Sequence, residues 1–95
     1  MVPFFEWDKA KARSNFKKHG VSFEDAIAVF QDPLARIFTD ERQSLGERRV
    51  IIIGHRRDRR LVLVVFCKPS EDRIRIISDR PATPREKRDY DQHAR

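Results

Sequence analysis

The strongest constraint in this chain is the unbroken apolar run Leu-Val-Leu-Val-Val-Phe-Cys at residues 61–67. Seven successive apolar side chains, mostly β-branched or aromatic and bounded by polar segments, leave no face for water, so the run reads as a central strand buried on both faces. It is far shorter than the ~20 residues that cross a bilayer, and no membrane span is expected. Residues 50–54, Val-Ile-Ile-Ile-Gly, read as a second strand of the same kind. A short mixed segment at 34–39 and the alternating segment 73–79 complete an antiparallel sheet of three to four strands. The connections at 55–60 and 68–72 are short and polar, which suits hairpins.

Helices flank the sheet. Asp8 precedes a helix over residues 9–19, and Gly20 stands where a left-handed cap residue is needed. Ser22 and Asp25 form an S-x-x-D capping pattern, followed by apolar residues Phe23, Ala26, Ile27 and Phe30 at helical spacing. Asp32-Pro33 ends this second helix, because a residue before proline is pushed out of the helical region. Thr83-Pro84-Arg85-Glu86 supplies an N-cap, a first-turn proline and an N3 glutamate for a terminal helix that runs to about His93. The fold class is therefore α+β: two N-terminal helices, the sheet and a C-terminal helix, in one domain over residues 1–95. A chain of this size buries roughly 60–65% of its extended surface, which leaves no large cavity between domains. Any chemistry must use an open face or groove.

The net charge of +6 is unevenly placed. Residues 1–47 sum to −1 and residues 48–95 to +7, and twelve of the fourteen cations in the second half are arginines. Arginine grips phosphate through two parallel hydrogen bonds, so the imbalance points to a polyanion, most simply nucleic acid. Cys67 is the single cysteine and cannot form an internal disulfide, and the N-terminus lacks the pattern of a secretory signal. A cytoplasmic location is expected. His19, His55 and His93 are widely spaced, so neither a metal site nor a cofactor is expected. His19, at a helix C-terminus, reads as a residue complementing the helix dipole.

On the first helix Asp8, Lys11, Asn15 and Lys18 fall within about 80° of one another, a polar stripe whose Lys11 and Lys18 suit contacts to a phosphate backbone. In the last strand Arg73 and Arg75 share a face with Ile77, whereas Ile74, Ile76 and Ser78 share the other. Two guanidinium groups about 7 Å apart match successive phosphates of a single strand. Arg80 lies just beyond, before the helix carrying Arg85, Arg88 and Tyr90, and Arg56, Arg57, Arg59 and Arg60 surround a hairpin tip. Such a face can bind RNA or cut it. Cleavage needs a 2′-hydroxyl made nucleophilic, the phosphorane charge offset and the 5′-oxygen protonated, for which arginine and the proton-transfer groups His55, His93 and Tyr90 are suited. A non-catalytic nucleic-acid-binding partner or co-repressor is the alternative that these residues leave open.

The segment Phe5-Glu6-Trp7-Asp8-Lys9-Ala10-Lys11, continued by Asn15 and Lys18-His19-Gly20-Val21-Ser22-Phe23-Glu24-Asp25-Ala26, resembles the opening of the BrnT toxin family. Asp32-Pro33-Leu34, Ile51-Ile52-Ile53-Gly54 and Arg73-Ile74-Arg75-Ile76-Ile77-Ser78-Asp79-Arg80-Pro81-Ala82-Thr83, with Glu86 and Tyr90, extend the resemblance over nearly the whole chain. It implies a type II toxin, a small RelE-like endoribonuclease that cleaves RNA and arrests translation. It also implies neutralisation by a BrnA-type ribbon-helix-helix antitoxin, through which alone operator DNA would be bound. By analogy with RelE-like folds, Arg80 and Tyr90 are implied as transition-state contacts. Arg75 and His55 join them on chemical grounds, with Lys11, Lys18, Arg73 and Arg56 as RNA contacts and no metal. Asp79 stands where the family usually has alanine, placing a carboxylate beside Arg80, and the turn Arg56-Arg57-Asp58-Arg59-Arg60 replaces one that often holds a small residue and a glycine.

Overall fold

A computed structural model describes residues 3–39 and 48–93 of the chain. The elements run β1 (Phe4–Glu6), α1 (Lys9–His19), α2 (Phe23–Phe30), β2 (Arg36–Thr39), β3 (Val50–His55), β4 (Leu61–Ser70), β5 (Arg73–Pro81) and α3 (Pro84–His93). Among the described residues the sheet has five strands in the order β1-β5-β4-β3-β2, one or two more than the sequence patterning predicts. The additional strand is β1, which pairs parallel to β5 with Glu6 opposite Arg75, so the sheet is mixed rather than wholly antiparallel. Three residues are too short for a period-2 pattern to show.

Local signals set the helix ends. The Asp8 side chain accepts from the Lys11 backbone N–H at 3.0 Å, and Gly20, at φ 73°, donates its N–H to Phe16 O at 2.8 Å. Ser22 and Asp25 form the full reciprocal capping box at the start of α2. Strands β4 and β5 run further than expected, leaving Glu71-Asp72 as the turn between them. A register irregularity between Cys67 and Ser70 accommodates Pro69, which has no N–H for the ladder. In the β3–β4 hairpin Arg59 adopts φ 70°, a conformation that glycine takes without strain.

Both faces of the sheet are covered where the apolar run requires it, and all of residues 61–67 are buried. On one face Val21, Phe23, Ala26 and Val29 pack on Ile52, Val62, Val64, Phe66, Ile74 and Ile76. Edge-to-face contacts at 5.1 Å (Phe5 with Phe30), 5.9 Å (Trp7 with Phe23) and 4.9 Å (Phe30 with Phe66) extend this layer. On the other face Tyr90 and Ala82 cover Ile53 and Leu61. Gly54 lets α2 and its exit loop come close: a Cβ there would lie 3.0 Å from Ala35 Cβ, 3.1 Å from Asp32 Oδ2 and 3.2 Å from Val29 Cγ1. A Gly54→Ala variant is expected to lose ~1–3 kcal/mol of stability by overpacking, read from the urea midpoint.

Candidate functional site

A β-bulge decides what β5 presents. Val65 pairs with Ser78 but Phe66 pairs with Ile76, so Ile77 is an extra residue and the side-chain alternation changes phase there. Ser78 and Arg80 consequently join Arg73 and Arg75 on the face away from α1 and α2, while Asp79 turns inward with Ile74 and Ile76. This corrects the simple alternation, which groups Ser78 with Ile74 and Ile76. It also corrects the pairing of Asp79 with Arg80, whose side chains leave opposite faces. Asp79 is 1% exposed and accepts a hydrogen bond on Oδ1 from Asn15 Nδ2; Asn15 Oδ1 accepts the Asp79 N–H at 3.2 Å. Asn15 is therefore buried and separated from the exposed Asp8, Lys11 and Lys18, so the polar stripe of α1 is divided.

The carboxylate partner of Arg80 is Glu86, in a two-point contact of 2.8 and 2.9 Å. Glu86 Oε1 also accepts the Thr83 N–H at 2.8 Å, so the capping box of α3 holds the carboxylate that holds the arginine. Arg80 drives the Glu86 carboxyl down to about 2. Among the described residues Glu86 and the Pro81 carbonyl occupy three of the five guanidinium N–H groups, leaving two to reach a further oxygen.

The other expected site residues fall into separate groups. His55 Nδ1 lies 2.9 Å from Asp32 Oδ2, which also accepts the His55 N–H at 2.7 Å, and the His55 ring meets the Tyr90 ring edge-on at 5.3 Å. Burial pushes the Asp32 carboxyl up, but N–H donors from His55 and Leu34 and the His55 ring outweigh it and leave the group below its ordinary value. Tyr90 is 4% exposed, donates its hydroxyl to Leu34 O at 3.0 Å and so anchors α3, and it also lines the recess beside Arg36 and Asp89. Burial, and then the Asp32 and Asp91 charges, push its phenol up. His55 shares the open face with Arg80 but sits two strands away, a separation of roughly 10 Å or more. At the far end of β5, Arg75 contacts Glu6 Oε2 at 2.8 and 2.9 Å and Arg73 reaches Glu6 Oε1 at 3.4 Å, so one carboxylate serves both cations. Arg56 is held by Asp58 at 2.8 and 2.9 Å and by Asp25 at 3.4 Å, which makes it a staple between the hairpin and α2. Lys11 and Lys18 are exposed on α1, and His93 lies outside the residues whose side chains are described.

Two contiguous recesses of about 280 and 380 Å³ form a groove between α3 and the open face. Its floor is Phe38, Ile51, Ile53, Leu63 and Val65, and Phe38, Leu63 and Glu86 line both parts. His19 and Arg80 stand at one end, Arg36 and Asp89 at the other. Sequence reasoning misses His19, Arg36 and Phe38. The available signal is weak: Arg36 and Phe38 are i and i+2 on a short strand, and so share a face. Among the described residues no three His, Cys, Asp or Glu side chains gather as a metal site.

Fold and groove together define a class: a one-sheet α+β domain with two helices on one face and an arginine-bearing cleft on the other. The same fold occurs in the Brucella abortus ribonuclease toxin BrnT, with a TM-score of 0.67 at 24% identity over 87% of this chain and 99% of that one. A model of the family described as "Ribonuclease toxin, BrnT, of type II toxin-antitoxin system" matches residues 7–86, and the chain belongs to this BrnT family. A search of curated proteins finds no match.

Proposed function

We propose that this chain is a metal-independent endoribonuclease that cleaves RNA, arrests translation and is silenced by a ribbon-helix-helix antitoxin of the BrnA type. The observation that carries the reading is the placement of Arg80, fixed by Glu86, at the end of an open groove in a member of a ribonuclease toxin family. In the proposed reaction the 2′-hydroxyl attacks the adjacent phosphorus, the bond to the 5′-oxygen breaks, and the products are a 2′,3′-cyclic phosphate and a 5′-hydroxyl. Arg80 offsets the charge of the phosphorane. Proton transfer falls to His19, whose imidazole lines the same recess, rather than to the more distant His55. Tyr90 acts by holding α3 in place, while Arg73 and Arg75 extend the cationic surface.

Purified protein incubated with mRNA in EDTA is expected to yield fragments with 2′,3′-cyclic phosphate ends. Intact RNA in that assay, with ribosomes supplied as well, would remove this reading. Salt-sensitive binding without cleavage would instead favour the binding-partner alternative.

A further inference from the structure

Phe38 is 48% exposed on the edge strand β2, over an apolar floor that includes Ile53 and Leu63. An aromatic ring left half in water above buried aliphatics is a platform on which an unpaired base can stack. Beside it stand groups of both hydrogen-bonding senses: Arg36 offers donors, and Asp89 of α3 offers acceptors. This end of the groove is continuous with the recess that holds Arg80, since Phe38, Leu63 and Glu86 line both. A strand with one phosphate at Arg80 can therefore place a neighbouring base at Phe38 without leaving the cleft.

We infer that the groove between Phe38, Arg36 and Asp89 is a nucleobase pocket that selects guanine next to the phosphate held at Arg80. Guanine presents a paired N1–H and N2–H donor edge suited to a carboxylate and paired O6 and N7 acceptors suited to arginine; the other bases lack one or both pairs. The inference builds on the reading of the chain as an RNA-cleaving protein and names the base that the cleft reads.

The test measures binding rather than cleavage. Four single-stranded pentamers carrying 2′-O-methyl groups have no nucleophile, and they differ only in a central G, A, C or U between uridines. The G pentamer is expected to bind about ten-fold or more tightly than the others. Phe38→Ala should lose roughly 5- to 150-fold in affinity, the range that stacking of one base supports, and Phe38→Trp should keep it. Asp89→Asn and Arg36→Gln should flatten the base preference. Thermal melting of each variant separates loss of binding from loss of fold. Equal affinity for all four pentamers, or unchanged binding by a folded Phe38→Ala, overturns the pocket. So does a Phe38→Ala variant that binds RNA normally but escapes its antitoxin, which would give the groove to a protein partner. Preserved guanine selection with no cleavage of unmodified RNA would strike at the catalytic reading and leave the pocket standing.

Discussion

Replacing Arg80 by alanine is expected to slow RNA cleavage by about 10²–10³-fold, the usual cost of removing one preorganised donor to a developing charge. The arginine is held by two bonds to Glu86 while two of its N–H groups remain, so its position is fixed before RNA arrives. Arg80→Lys keeps a charge but loses the two-point grip, and should fall between alanine and wild type. His19→Asn should lose about 10²–10⁴-fold if its imidazole moves the proton. Stability should change little, because the Arg80 and Glu86 side chains are 36% and 27% exposed and such a pair contributes up to ~1 kcal/mol once solvent screening is counted. Arg75→Ala is the contrast. It sits at the other end of β5 against Glu6, and its loss should reduce the salt slope of RNA binding by about 0.7 while sparing most of the turnover. Single-turnover cleavage by each melting-checked variant decides between them: a folded Arg80→Ala that cuts at the wild-type rate would move the site away from this groove.

How much of this was legible in the residues depends on the physics that each signal reports. Caps and apolar runs act over a few residues, so α1, α2, α3 and the buried strands could be read directly from Asp8, Ser22, Thr83 and residues 61–67. Bulges and parallel edge strands are set by partners far away in the chain. Ile77 carries no mark that it will be the extra residue, yet its insertion alone sends Asp79 inward and Arg80 outward. Glu6 looks like a lone acid until β1 lies beside β5 and brings it to Arg73 and Arg75. Individual charges are legible as cations but not as pairs: nothing in the sequence ties Arg56 to Asp25 and Asp58, or Glu86 to Arg80. The groove itself depends on where α3 comes to rest on the sheet, and Tyr90 settles that by bonding Leu34 O, a residue 56 positions away.

Asp79 supplies the second large effect, on stability. Burial is the main cause that pushes its carboxyl up to about 7; the Asn15 hydrogen bond opposes this, the Asp25 and Glu24 charges add to it, and the Arg56 charge lowers it. Oδ2 has no partner. A carboxyl raised from its unfolded value of 3.8 to about 7 binds its proton more tightly in the folded state. It therefore contributes stability that is complete below about pH 4 and is lost as pH rises through 7, by up to ~4 kcal/mol in total. Glu6, Asp8, Asp32, Asp58 and Glu86 are shifted the opposite way, and their contribution is lost as pH falls below the ordinary carboxylate range. The two windows barely overlap, which places maximum stability near pH 4–5, lower than for most small domains. Asp79→Asn keeps an acceptor for Asn15 and cannot ionise, so urea unfolding should find it within ~1 kcal/mol of wild type at pH 4.5 and more stable by as much as ~4 kcal/mol at pH 8. A variant that tracks wild type at both pH values would mean that Asp79 stays ionised in the fold, its charge carried by Asn15 and Arg56. The backbone geometry explains why no acid is needed there. Asn15 bridges the Asp79 N–H and the Val21 carbonyl whatever side chain follows Ser78, so the carboxylate adds a titrating charge to a junction that is already closed.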